Sequence, residues 1–106
     1  MQRAAALQIE VLRFCRLNGL LAFVPYQVSG LACCATKLDL PERAALLHGG
    51  AEALLLATSE VWEYFEVRVR ARDVTILHER LGEDFERLYA QGFAMPHDEI
   101  IKLALA

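Results

Sequence analysis

The side chains best suited to chemistry in this chain are its three histidines, His48, His78 and His97. Imidazole can bind a metal ion or transfer protons near neutral pH, and His78-Glu79 could begin the zinc-binding pattern H-E-x-x-H. No histidine follows any of the three at the fourth position along the chain. We therefore predict no metal site and no histidine-based acid–base site.

The three cysteines, Cys15, Cys33 and Cys34, form neither a disulfide framework nor a C-x-x-C metal spacing. Adjacent residues on a helix point about 100° apart, so Cys33 and Cys34 cannot share one tetrahedral ion. Free cysteines are most often buried as small hydrophobic residues. We expect the same here, in a reducing cytoplasm.

Two further patterns could suggest a catalytic or phosphate site. Gly49-Gly50 lacks the later Lys and Ser/Thr of a phosphate-binding loop and lies within an apolar helical pattern. We interpret it as a close contact between helices. Glu83, Asp84 and Glu86 begin a short helix, where carboxylates stabilise the positive end of the dipole. The chain is thus predicted to be non-catalytic and to need no cofactor.

Three arginines alternate with apolar residues at positions 68, 70 and 72. On a helix Arg70 projects about 200° from Arg68, whereas Arg68 and Arg72 share a face. We interpret this stretch as a solvated surface with salt bridges, from which Arg68 and Arg72 could contact phosphate or an acidic partner.

Two apolar features are candidate partner surfaces. Leu7, Val11 and Phe14 recur at helical spacing on the first helix and predict an exposed apolar stripe. Trp62 stands near the start of a later helix, where aromatic residues can anchor an interface. Core packing is the alternative for Trp62.

Composition predicts a single all-α domain. The 106 residues are 56% apolar but only 8% aromatic, and Ala and Leu, both strong helix formers, supply most of the apolar fraction. A net charge of −3 offers no general attraction to nucleic acid. The uncharged run 17–36 is interrupted by Gly, Pro and polar residues, so we predict no membrane span. No export signal is visible.

About six helices are expected from the apolar periodicity and the Gly and Pro breaks. Asp39 and Glu42 would form a capping box before the third helix, and Thr58 or Ser59 would cap the fourth. The predicted helices are Ala4–Leu17, Val24–Leu38, a third through Leu56, a fourth to Leu81, Glu83–Gln91, and a last from Pro96 to near Ala106.

The order of these signals also resembles a known family. The residues that carry the likeness are GLACCATKLDLPERAALLHGGAEAL and, further on, HERLGEDFERLYAQGFAMPHDEIIKLALA. They resemble the C-terminal end of the tetratricopeptide-like region of large bacterial signalling ATPases. That group includes LuxR-type transcriptional regulators and related adenylate-cyclase-like or kinase-linked regulators.

The resemblance implies a right-handed stack of antiparallel helix pairs closed by a C-terminal helical cap, as a fragment of a longer repeat region. It implies a non-catalytic interaction and signal-relay module that contacts the rest of its regulator or another protein. As an isolated fragment we expect a homo-oligomer without direct nucleic-acid binding. Self-association alone is the alternative function, and a small histidine-dependent enzyme is the third.

Overall fold

Runs of Ala, Leu and other helix formers, broken by Gly and Pro, fold the chain into helices. The computed structural model describes residues 2–106, and these form six α-helices without a strand. The helices are α1 (Gln2–Leu17), α2 (Val24–Lys37), α3 (Pro41–Ala57), α4 (Tyr64–Leu81), α5 (Asp84–Ala94) and α6 (His97–Leu105), with a 3-10 turn at Leu21–Phe23. The predicted all-α class is confirmed. Within residues 2–106 no helix has both the length and the apolar character needed to cross a bilayer.

Helix α3 is the centre of the fold and packs most extensively against α5 and α2. Helix α1 packs on α2, α6 packs on α3, and α4 contacts α2, α3 and α5. The main neighbour of α3 toward the C-terminus is therefore α5 and not α4, although α4 follows α3 in the chain. The tetratricopeptide-like stacking and its handedness stay predictions.

Two apolar clusters form the core. The first joins α1, α2, α3 and α6 around the buried side chains of Leu12, Val28, Leu47 and Ile100. The second lies under α5, where Phe85 and Leu88 are buried against α2, α3 and α4 and Tyr89 packs beside them. Glu86, by contrast, is exposed. Phe85 thus anchors α5 to the rest of the fold.

Glycine allows α3 to touch two other helices at very short range. A Cβ atom at Gly49 would collide with the carbonyl oxygen of Tyr89, and one at Gly92 with that of Leu46. A Cβ atom at Gly50 would strike the side chain of Ile100. The prediction that Gly49-Gly50 permits close packing is confirmed.

The predicted capping box before α3 is wrong. Asp39 has a φ of 60°, and the residue at the N-cap is Leu40, without a side-chain hydrogen bond. Since Asp39 takes the left-handed conformation that closes the preceding turn, its carboxylate points elsewhere and pairs with Arg80 at 3.1 Å.

The predicted start of the fourth helix and end of the fifth are also wrong. Thr58 ends α3, because its hydroxyl donates to the carbonyls of Leu54 and Leu55, and α4 begins only at Tyr64. Ser59 has a φ of 58° and caps neither helix. Helix α5 continues past Gly92 to Ala94, since that glycine serves contact with α3 and not termination.

Candidate interaction groove

Helices α1, α2 and α4 enclose an open groove of about 470 Å³. Its floor is one face of α2, where Tyr26, Gly30, Cys33 and Lys37 follow one another at helical spacing with Ser29 beside them. Ser29, Gly30 and Cys33 are small. The floor is therefore low between the two walls.

Helix α1 supplies the first wall through Ala4 and Gln8. The Gln8 side chain lies over Gly30, so that a Cβ atom there would be 2.7 Å from Gln8 Nε2. The Gln8 Oε1 atom is buried and has no hydrogen-bond partner among residues 2–106. A flexible side chain thus covers the floor of the groove at Gly30.

The predicted apolar stripe adjoins this wall. Leu7 and Val11 share a helix face with Ala4 and Gln8, because the four are spaced at i, i+3, i+4 and i+7. Leu7 is 58% exposed and Phe14 is 59% exposed, while Leu12 on the opposite side is fully buried. The structure therefore places the stripe in solvent, beside the opening of the groove.

Helix α4 supplies the second wall. Phe65, Val69 and Arg72 line the groove at i, i+4 and i+7. Phe65 is 71% exposed, and on its outer side Arg68 stacks over the ring of Tyr64 at 5.8 Å. Arg68 and Arg72 share an exposed surface, as their spacing predicts.

Opposite charges mark the two ends of the groove. Near Tyr26, burial and then the carboxylates of Glu63, Glu60 and Glu66 raise the pKa of the phenol. At the other end, burial and the nearby Asp73 raise the pKa of the Cys33 thiol, whereas the cations Lys37 and Arg72 act in the opposite direction. The groove is thus acidic at the start of α2 and basic at its end.

Behind the floor lies a buried set of polar residues, the Arg70 cluster. Its members are Ser29, His48, Glu52, Trp62, Arg70, Asp73 and Tyr89. Arg70 is only 7% exposed and connects four helices. Its guanidinium donates to Ser29 Oγ at 3.1 Å, to the His48 carbonyl at 2.9 Å and to Tyr89 Oη at 3.4 Å.

Trp62 forms the outer side of the Arg70 cluster. The guanidinium of Arg70 lies 4.4 Å from the centre of its ring, and the indole N–H donates to Glu52 at 2.7 Å. The ring also meets Tyr26 edge to face. Trp62 is therefore half-buried and held by internal contacts, which matches the core-packing alternative more closely than a free interface anchor.

His48 and Asp73 form the deepest pair of the cluster, and both are fully buried. The Nε2 atom of His48 lies 3.2 Å from Asp73 Oδ2. Burial lowers the pKa of His48 despite the opposing effect of Asp73, so the ring is neutral at pH 7 and can donate one hydrogen bond to the carboxylate. The pair ties α3 to α4.

The prediction that Arg70 lies on a solvated surface is wrong, and the pairing of His48 with Asp73 was not anticipated from the sequence. The spacing of residues on α4 could have indicated that Arg70 and Asp73 are buried. Arg70, Asp73 and Leu77 lie at i, i+3 and i+7, on the face opposite Arg68. If Arg68 is in solvent, Arg70 must point inward, where a guanidinium requires acceptors.

Arg72 connects the groove to the Arg70 cluster. One of its nitrogens lies 3.7 Å from Asp73 Oδ1 and 3.9 Å from Cys33 Sγ. Cys15 and Cys34 are buried, as predicted for small apolar residues. The same prediction is wrong for Cys33, which is partly exposed because it lies in the groove.

Across residues 2–106, no three or more His, Cys, Asp or Glu side chains stand close enough to hold a metal ion. Comparisons with protein-family models, curated proteins and solved structures identify no match for this chain.

Proposed function

We propose that this chain is a non-catalytic helical interaction and signal-relay module that binds a protein partner through the groove and the adjoining stripe of Leu7, Val11 and Phe14. The observation that carries the proposal is the segregation of side chains. Large apolar residues are exposed beside the α1 wall, as the stripe, and on the α4 wall, as Phe65. His48 and Asp73, which could do chemistry, are fully buried in the Arg70 cluster. Exposed apolar patches of this kind mark interaction sites.

The relay part of the proposal depends on residues that connect the groove to the Arg70 cluster. Ser29 lies in the groove floor and accepts a hydrogen bond from Arg70. Helix α4 carries both Arg72, in the groove, and Arg70, in the cluster. A partner that shifts α4 would therefore change contacts reaching α3 and α5. The likeness to bacterial signalling ATPases supports a parent regulator of that class.

Photo-crosslinking tests the binding surface. A photoreactive amino acid is placed at Leu7 or Phe65, beside the groove, and at Arg87 or Asp98 as controls, which are exposed on α5 and α6 and do not line the groove. We expect adducts in cells from the first two positions only, with one partner identified by mass spectrometry at both. Equal adducts from all four positions would contradict the proposal.

Self-association is the second candidate, and the exposure of Leu7, Val11 and Phe14 favours it. It predicts concentration-dependent dimers at micromolar protein in sedimentation equilibrium, and a monomer after Val11→Glu. An adduct of twice the chain mass in the crosslinking experiment would select this function over binding of a different protein.

A further inference from the structure

Resting on the proposed function, we propose that the groove binds one amphipathic α-helix, acidic at its N-terminal end and basic at its C-terminal end, lying antiparallel to α2. The floor from Tyr26 to Lys37 extends over about 16 Å, the rise of roughly three helical turns. A bound segment of about 12 residues would cover it.

The spacing of the groove residues favours a helix over an extended peptide. Floor and walls are rows of side chains spaced three or four residues apart, into which the ridges of another helix fit. An extended peptide gains affinity by adding backbone hydrogen bonds to a sheet edge. The groove is built from helices whose backbone groups bond internally, so only a segment with its own internal bonds suits it.

The floor is suited to close approach. Gly30 has no side chain, and only the flexible end of Gln8 covers it. The Gln8 Oε1 atom and the Glu66 Oε1 atom are buried with no hydrogen-bond partner among residues 2–106. Both line the groove. A partner side chain with N–H donors would satisfy them, which favours Lys, Arg or an amide near the Tyr26 end.

Charge sets the direction of the bound helix. Acidic residues stabilise the first turn of a helix and basic residues its last turn. The acidic turn fits beside Lys37 and Arg72, and the basic turn beside Glu63 and Glu66. The bound helix then runs opposite to α2, and its positive end lies near the negative end of the α2 dipole.

Two stapled helical peptides of about 12 residues test this inference. Both have the same Ala/Leu face and the same composition, but one places Glu in the first turn and Lys in the last, and the other reverses them. Binding to the full chain is measured by fluorescence anisotropy. Modification of the Cys33 thiol by a maleimide, located by mass spectrometry, reports groove occupancy, with the buried Cys15 as internal reference.

The acid-first peptide should bind at least about tenfold more tightly than its reverse, since like charges at both ends oppose the reverse peptide. It should also slow modification of Cys33. Lys37→Glu should remove most of this preference, and Lys37→Glu with Arg72→Glu should invert it. Arg87→Glu, on an exposed site of α5, should change nothing. Because Arg72 also contacts Asp73, the single Lys37 variant keeps the test valid if the double variant unfolds.

Equal binding of both peptides with protection of Cys33 would overturn the charge and direction inference and leave the proposed function standing. If neither peptide binds but crosslinks still form at Leu7 and Phe65, the inference of a bound helix is overturned and the proposed function stands. Failure of both peptides and of crosslinking would overturn both proposals. Protection of Cys33 that increases with the concentration of the chain alone would identify a second copy as the occupant and overturn the inference.

Discussion

The contact between α3 and α5 and the groove over α2 are both built on small residues, yet they are covered differently. At Gly49 and Gly92 the covering atoms are backbone carbonyls of the opposite helix. At Gly30 the cover is the end of the Gln8 side chain. A backbone cannot move aside without separating two helices, whereas a glutamine changes rotamer readily. The α3–α5 contact is therefore a fixed frame. In the groove over α2, a bound partner can replace the Gln8 side chain as the cover of Gly30.

The largest effect is expected within the frame, from Phe85→Ala. Phe85 is almost fully buried between α5 and its neighbours, and removal of such a ring costs about 3 to 5 kcal/mol of unfolding free energy. Glu86→Ala, on the exposed side of the same helix, should cost little. Urea unfolding compares the two. Equal shifts of the midpoint would mean that α5 is a loose tail and that the frame does not exist.

Gly49→Ala should destabilise the chain by about 1 to 3 kcal/mol or more, because the new methyl group meets a carbonyl oxygen of α5. The change also gains about 1 kcal/mol of helix propensity, so a net loss isolates the steric term. Thermal unfolding measures it. A melting temperature at or above that of the parent would show that the two helices are not held at contact distance.

Acidification should weaken the frame through His48. Burial lowers the pKa of this histidine, so below its ordinary value near 6.5 the unfolded chain binds a proton that the folded chain does not. Stability is fully present above that pH and falls as the pH decreases, by at most about 1.4 kcal/mol per pH unit. Urea midpoints between pH 7.5 and 5.5 measure the slope.

The control for the pH prediction is His48→Gln, which should flatten that slope, whereas substitution of the exposed His97 by Gln should leave it unchanged. If the slope of the His48 variant equals that of the parent, another group is responsible for the acid sensitivity.

The smallest effect is expected at the groove. Gly30→Ala should change stability by no more than about 0.5 kcal/mol, because the methyl group displaces only the Gln8 side chain and the helix gains from alanine. Comparison with Gly49→Ala in the same melting experiment separates a flexible cover from a fixed one. A loss at Gly30 as large as that at Gly49 would remove the distinction between the two regions.

The sequence predicts the helices and their apolar faces well, because Ala/Leu periodicity and Gly or Pro breaks are local signals. It also predicts the close contact at Gly49-Gly50. It misses the Arg70 cluster, because a bond such as that between His48 and Asp73 joins residues on different helices and depends on how α3 and α4 cross. The failed cap at Asp39 has a similar cause, since a left-handed residue can close a turn without bonding the next helix.

The groove could be predicted only in part. The stripe of Leu7 and Val11 and the shared face of Arg68 and Arg72 follow from helical spacing alone. That α1 and α4 stand on either side of α2, with Gly30 between them under the Gln8 side chain, depends on tertiary packing. Trp62 shows most clearly that local sequence does not determine such packing. Its neighbours in sequence are exposed, while its own ring stacks on Arg70.

The central claim is that the groove binds a partner helix while the α3–α5 contact stays fixed. Hydrogen exchange tests it most directly, measured on the full chain with and without the acid-first stapled helix. In the free chain, amides of α3 and α5 at their contact should exchange slowest, and those of α1 and the first turns of α4 fastest. Addition of the helix should slow exchange in α1, α2 and α4 while leaving the amides at the α3–α5 contact unchanged. Slower exchange in α1 than in α5 without peptide, or protection confined to α5 on its addition, would contradict the account.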